Sequence, residues 1–339
     1  MTKIDFAHCL TKYFTVYLPG HLNVSKNTIS SYRDTFSKLL TFFKIQCRVP
    51  PEKLSFRHFS RTAVEDFLLW LESDCGCGIS TRNQRLAAVR SFFRYVQVEC
   101  PEHLLLCQEI VSIRPKRHEK PVIRYLNREE IRLLLAQPDT TTRDGRRDLA
   151  MLSLLYDSAA RVQELCDLTA GSVRTVSPLT LKLTGKGRKS RVVPLSEQSA
   201  AILLGYISER GLDHLLRQNS PLFSNRHGTK ITRSGVSYIL KKYVEQTNAV
   251  QPTALPSVLT PHCLRHSKAM HLLESGVNLI YIRDFLGHED VGTTQVYAKA
   301  NPETKRAAIE NAYRDVHTPV PPTWNSDPNL MNFLKSLSV

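Results

Sequence analysis

The sequence has no apolar run approaching the ~20 residues that a membrane-spanning helix needs. Asp5 and His8 interrupt the first ten residues, where a signal peptide would carry a continuous apolar segment. Both absences point to a soluble, cytoplasmic chain. Its eight cysteines lack the paired spacings of a secreted disulfide framework, and a chain of 339 residues has no need of one, so we read them as reduced thiols. The one close pair, Cys75-Gly76-Cys77, has a gap that suits neither a zinc ribbon nor a redox CxxC, and no metal site is expected. Acidic residues are also short: 31 Asp and Glu against 46 Lys and Arg leave a net charge of +15. Such an excess calls for a polyanionic partner, and with the membrane signals missing, nucleic acid is the first expectation.

What is present is ordinary globular material. The apolar fraction of 42% and charged fraction of 23% exclude a disordered chain, and the length predicts two domains. In the first third, Ile29, Tyr32, Phe36, Leu39, Leu40 and Phe43 recur at helical spacing over residues 28–44. Leu86, Val89, Phe93 and Val96 do the same over residues 80–98, with Arg82, Arg85, Arg90 and Arg94 read as lying mostly off that stripe. This second helix is amphipathic and basic, and its arginines are candidate phosphate contacts, with a solvated face as the alternative. A third helix over residues 62–72 completes an all-helical unit.

The basic, proline-flanked stretch 114–122 reads as a linker, giving a helical domain over 1–113 and a second domain over 123–317. Residues 1–118 hold 17 basic and 10 acidic side chains and the remainder 29 and 21, so both parts are basic, +7 and +8. Two basic domains on a basic linker could close around a duplex as a clamp. Beyond the linker, Asn127 with Glu130 forms a helix-start signal ahead of Ile131 to Leu135, and residues 148–155 form a strongly apolar helix. Residues 179–183 and 190–195 read as two short strands around Gly185-Lys186-Gly187-Arg188-Lys189, a hairpin with a basic tip. Helical patterning resumes from Ser234 and stops at the Pro-rich residues 318–322. Residues 318–339 form a tail in which Leu330, Phe333, Leu334 and Leu337 sit at the spacing of a short amphipathic helix. The fold class is therefore mainly α with a small antiparallel β-sheet (α+β).

Four patterns follow one another in the second domain. They are Arg161 with Glu164, Lys186 on the hairpin tip, His262-Cys263-Leu264-Arg265-His266, and Leu286-Gly287-His288 with Thr293, Thr294 and, nine residues after His288, Tyr297. Taken in order, these resemble the tyrosine recombinase (phage integrase) family. The residues from Ser80 to Phe93 resemble the DNA-contacting helix of the family's N-terminal SAM-like core-binding domain, and the chain as a whole looks like the two-domain Xer type, without the arm-binding domain of longer integrases. Two departures are small in size: Ala159-Ala160 stands where the family has glycine-leucine, and Ser267 follows His266.

The resemblance implies a site-specific recombinase that cleaves and rejoins DNA through a 3′-phosphotyrosyl intermediate and a Holliday junction, without metal, nucleotide or other cofactor. Tyr297 is then the nucleophile, Arg161 and Arg265 the donors to the non-bridging phosphate oxygens, and Lys186 the acid for the 5′-hydroxyl. His262 assists proton transfer with the attacking tyrosine, His288 donates to or positions a phosphate oxygen, and Glu164 supports a basic neighbour. The residue types suit this chemistry, because charge develops on the phosphoryl oxygens during attack and a guanidinium fork matches two of them at once. Lys182, Arg188 and Lys189 share the hairpin with Lys186, and Tyr281 and Tyr313 are the next nucleophile candidates. His262, His266 and His271 also invite a metal reading, but the glutamate of an HExxH site is missing.

The implied partners are double-stranded DNA recombination sites and further copies of the chain, a tetramer in the synapse and a monomer off DNA, with a partner recombinase or an accessory DNA-bending protein also open. The implied location is the nucleoid. Integration, excision, transposition and multimer resolution stay open as outcomes. So do cis or trans docking of the tail, a topoisomerase IB-like or telomere-resolving enzyme, and an idle DNA-binding protein that keeps the fold.

Overall fold

The computed structural model describes residues 5–117, 123–176, 178–185, 189–288, 290–300 and 336, excepting the side chains of residues 291 and 298–300. Lys186 and all of the 318–339 tail but Ser336 lie outside the described residues. The chain divides into two units, residues 1–121 and 122–339.

Among its described residues the first unit has helices as its only regular elements, chiefly α1 (Phe6–Lys12), α2 (Lys26–Gln46), α3 (Arg61–Ser73), α4 (Ile79–Glu99) and α5 (Leu104–Ser112). After α1 the chain continues in wider helical turns through His21, with Pro19 inside them. Ser25 and Ser60 cap α2 and α3 by accepting from Thr28 N and Ala63 N. The expected α4 stripe is buried together with Phe92 and Tyr95. Phe92 is the hub, meeting Phe36 edge-on at 5.1 Å and Phe6 at 5.6 Å.

Arg82 departs from the sequence reading. It precedes Leu86 by four residues and so belongs to the buried stripe, where its side chain is 8% exposed and its Nε lies 2.9 Å from Glu72 of α3. Arg85 and Arg90 are half-buried and Arg94 is exposed. The start of the expected linker is also not free. Lys116 Nζ sits 2.7 Å from Glu72, and the Lys116 backbone exchanges two hydrogen bonds with the Asn83 amide.

The second unit begins with α6 (Arg128–Leu135), whose N-terminus carries the expected reciprocal cap: Glu130 N donates to Asn127 and Asn127 N to Glu130. Helix α7 (Arg143–Asp157) is buried on most of its circumference. A short α8 (Val162–Cys166) leads into a three-stranded antiparallel sheet, β1 (Val173–Arg174), β2 (Thr180–Thr184) and β3 (Ser190–Pro194). Thr184 faces Ser190 in register, and Gly185 N donates to Lys189 O at 2.8 Å, closing the base of the hairpin. The remaining helices are α9 (Glu197–Glu209), α10 (Arg233–Val250), α11 (Pro261–Glu274), α12 (Leu279–Leu286) and α13 (Val291–Ala300).

Polar ties lock these elements together. Asp157, at the end of α7, accepts from Ser196 N at the start of α9 and from Lys268 of α11. Ser267 accepts from Leu126 N at 2.8 Å, so the residue after His266 fastens α11 to the segment that enters α6. Among the described residues, no helix is long and apolar enough to cross a membrane.

Candidate functional site

Residues 158–161 turn sharply between α7 and α8, and the turn places Arg161. Ala159 adopts φ +47°, fully buried, and its carbonyl accepts from Arg265 Nη1 at 2.6 Å. An alanine in the left-handed region is strained, so where the family resemblance implies a glycine, alanine is close in size but lacks its conformational freedom. Arg161 then stands at the N-cap of α8 with extended backbone. Glu164 reaches back to it, accepting from Arg161 N at 2.9 Å and from Nη1 at 2.7 Å.

The Glu164 carboxylate is almost fully buried and is gripped from the other side by Arg191 of β3, at 3.0 and 2.8 Å. Burial pushes its acidity down, but the hydrogen bonds and charges of Arg191 and Arg161 outweigh this and hold its pKa at about 2. Two glycines make room for the pair. A Cβ at Gly185 would stand 2.9 Å from Glu164 Oε1, and one at Gly287, where φ is +64°, would stand 3.0 Å from Arg191.

Arg265 projects from α11 and is 1% exposed. It donates to Ala159 O and, at 2.6 Å, to Leu286 O, while Arg161 Nη2 donates to the next carbonyl, Gly287 O, at 3.2 Å. Two arginines far apart in sequence therefore converge on adjacent carbonyls of one turn. Burial, with Arg161 and Arg191 nearby, lowers the Arg265 pKa to about 10, which leaves it charged at neutral pH. Two guanidinium groups bind one buried carboxylate and a third, Arg265, lies within their electrostatic reach, an excess of positive charge that an anion would neutralise. Arg161, Arg191 and His288 line a cleft of about 540 Å³ with Gly185, Lys189 and Ser190.

The histidines take distinct places. His288 hydrogen-bonds Thr294 at 3.0 Å, and burial together with the three arginines lowers its pKa to about 4. His262 stacks edge-on against His266, with ring centroids 4.6 Å apart. The hydroxyl of Tyr297, a residue 2% exposed, meets His266 Nδ1 at 2.8 Å. Tyr297 packs with Ala159, Met270, Ile282 and Leu286. Burial raises its pKa, and the nearby Arg265 and Arg161 oppose that rise.

The second unit therefore brings Arg161, Glu164, Arg265, His262, His288 and Tyr297 into one region, while Lys186 falls outside the described residues. The sequence patterns included His266 and Thr294 without giving either a role in the site, and Arg191 was not singled out. Their signals were present as the helical offset of His266 from His262, the strand after the basic hairpin, and the Thr-Thr pair. Among the described residues, no cluster of three His, Cys, Asp or Glu side chains could hold a metal ion.

Comparison with known proteins meets this geometry. Residues 124–304 match the phage integrase family, and residues 11–99 match the phage integrase N-terminal SAM-like domain. The chain belongs to the phage integrase family of tyrosine recombinases. These are enzymes that cleave and rejoin DNA. A Sinorhizobium fredii protein named as an integrase/recombinase, y4rC, is 36% identical over 99% of this chain and 100% of its own length. The tyrosine recombinase XerD of Oceanobacillus iheyensis is 31% identical over 90% of this chain and 96% of its own. The transposon Tn1549 integrase, solved with transposon right end DNA, shares the recombinase fold at a TM-score of 0.66 and 18% identity, over 89% of this chain and 98% of that one.

Proposed function

We propose that this tyrosine recombinase acts on double-stranded DNA recombination sites, with Tyr297 as nucleophile and Arg161 and Arg265 as the grip on the scissile phosphate. The convergence of the two arginines on the Leu286 and Gly287 carbonyls carries the reading. Their donors already aim at acceptors in one turn, and phosphoryl oxygens in the adjoining cleft would be stronger acceptors for them.

In the proposed reaction the Tyr297 oxygen attacks phosphorus and the bond from phosphorus to the 5′-oxygen breaks. Lys186 protonates the departing 5′-oxygen, leaving a 3′-phosphotyrosyl ester. His288, held by Thr294, donates to or orients a phosphoryl oxygen, and His262 assists proton transfer within the field of Arg161 and Arg265. Attack by the 5′-hydroxyl of a second strand reverses the chemistry and gives a Holliday junction. The phosphotyrosyl ester conserves the energy of the bond that breaks, so the scheme needs no nucleotide, and the two arginines and Lys186 carry the charge stabilisation and proton transfer without a metal. Four protomers on two duplexes, assembled through C-terminal contacts, would exchange strands in turn, for integration or excision of a mobile element or for multimer resolution.

Exposed Arg94, with half-buried Arg85 and Arg90, supplies the phosphate-contacting face of the first unit. In the second unit, Arg233, Ser237, Tyr238 and Lys241 line one groove along α10 and offer charge, hydrogen bonds and an aromatic ring to DNA.

The test is covalent capture. Full-length protein is incubated with a pool of nicked duplexes of randomised sequence, in which the small cleaved fragment diffuses away. A protein–DNA adduct that is absent with Tyr297→Phe supports the reading. An adduct that persists in that variant refutes it.

A further inference from the structure

A tyrosine hydroxyl is a weak acid, and burial of Tyr297 makes it weaker. Its attack on phosphorus needs an acceptor for the proton, in place when the oxygen–phosphorus bond forms. We propose that His266 is that acceptor, a general base in direct contact with the nucleophile, and that His262 assists the transfer through His266 rather than by touching the tyrosine itself. The proposal deepens the reading of Tyr297 as nucleophile and rests on it.

The geometry gives His266 the contact that the role requires. Its Nδ1 lies 2.8 Å from the Tyr297 hydroxyl, and it is that hydroxyl's hydrogen-bond partner among the described residues. His262 touches His266 instead, edge to face with an interplanar angle of 75°. The imidazole is thus held between two rings, His262 on one side and Tyr297 on the other, with centroids 5.6 Å apart in the second pair. This is the arrangement of an activated nucleophile: nucleophile, base, and a third group that orients the base.

Among the described residues, the charged and titratable groups around His266 are His262 and Arg265 on α11 and Tyr297 on α13. Burial, with His262 and Arg265 adding to it, lowers the His266 pKa to about 4, so the ring is neutral at ordinary pH. With its proton on Nε2, Nδ1 has a free lone pair and the tyrosine O–H donates to it. In the forward step the O–H bond breaks and its proton passes to Nδ1. The oxygen lone pair forms the bond to phosphorus, and the 5′-oxygen leaves with the pair of the bond that breaks. The positive charge on the imidazolium appears as negative charge grows on phosphoryl oxygens beside Arg265, so the two offset each other. In religation the imidazolium returns its proton to the tyrosine oxygen as that oxygen leaves.

The experiment compares wild type, His266→Asn and His266→Ala as full-length proteins, in single-turnover adduct formation on a nicked duplex that wild type captures from the randomised pool. Asparagine can hydrogen-bond the hydroxyl from near the Nδ1 position but cannot take its proton. The proposal predicts that both variants bind the duplex as wild type does and lose about 10²-fold in cleavage rate near neutral pH. Their rates should climb about tenfold per pH unit as hydroxide replaces the base, while wild type stays nearly flat.

Wild-type or faster cleavage by His266→Asn overturns the proposal and makes the contact a hold on the resting tyrosine. A loss that is the same at every pH also overturns it, leaving His266 as packing. If wild type itself forms no adduct, the nucleophile reading fails and this one fails with it; a failure confined to the His266 variants' pH profile leaves that reading intact.

Discussion

Arg191 holds both oxygens of the Glu164 carboxylate and at the same time donates its Nε to the Phe285 carbonyl at 2.9 Å. One side chain of β3 thereby ties together α8, the base of the basic hairpin and the turn that leads into Gly287 and His288. Because Glu164 also binds Arg161, removing its charge leaves two buried or half-buried guanidinium groups facing each other. Glu164→Gln should destabilise the second unit by about 3–5 kcal/mol, the cost of breaking a buried pair. Urea denaturation checks it, and a loss below about 1 kcal/mol contradicts the assigned role.

The same carboxylate sets a pH dependence. Its pKa in the folded chain is about 2 against an ordinary 4.5, so its contribution is fully present above about 4.5 and is lost as pH falls toward 2. That difference corresponds to about 3 kcal/mol at neutral pH. Histidines 266, 271 and 288 act in the same direction at a higher window. Each has its pKa lowered from 6.5 to about 4, so each favours the folded state above 6.5 and loses that contribution as pH falls through 4. Stability measured between pH 7 and 2 should fall throughout, and Glu164→Gln should flatten only the part of the curve below about pH 4.5. A curve unchanged in Glu164→Gln below pH 4.5 would count against the ion-pair account.

Ala159 carries backbone strain that glycine would relieve. Ala159→Gly removes a penalty of roughly 1–2 kcal/mol for a left-handed L-residue and adds some unfolded-chain entropy. The net expectation is a stabilisation of up to about 1 kcal/mol with cleavage retained, read by thermal melting and adduct formation. A lower melting temperature would show that the alanine methyl is needed in its pocket.

Two arginines of α4 should separate by phenotype. Arg82→Ala leaves Glu72 without its buried partner and should lower the stability of the first unit by roughly 1–3 kcal/mol. Arg94→Ala should leave stability within about 0.5 kcal/mol, weaken duplex binding and reduce the slope of log affinity against log salt by about one. Titrations at several salt concentrations, with melting curves alongside, distinguish the two. An unchanged salt slope in Arg94→Ala removes it from the phosphate face.

Much of this architecture could be read from periodicity. The α2 and α4 stripes, the Asn127–Glu130 cap and the two strands of the basic hairpin all follow from local spacing, because burial of one face and capping of helix ends are local requirements. Arg82 was misread because its charge was weighed above its position: four residues before Leu86, it lies on the buried stripe, and only the fold supplies Glu72 to neutralise it. Ala159 was judged by volume, whereas the turn imposes a constraint on φ that size does not reveal. The contact of His266 with Tyr297, and the grip of Arg191 on Glu164, join residues distant in the chain. No spacing within one helix or strand encodes them.

The central claim, that Tyr297 carries the cleaved strand, is tested most directly by mapping the covalent bond. Wild-type protein is trapped on the captured nicked duplex, digested, and the DNA-linked peptide sequenced by mass spectrometry. The account predicts a single peptide bearing the 3′-phosphate of the cleaved strand on the Tyr297 oxygen. Linkage to Tyr281, to Tyr313 or through a 5′-phosphate would contradict it.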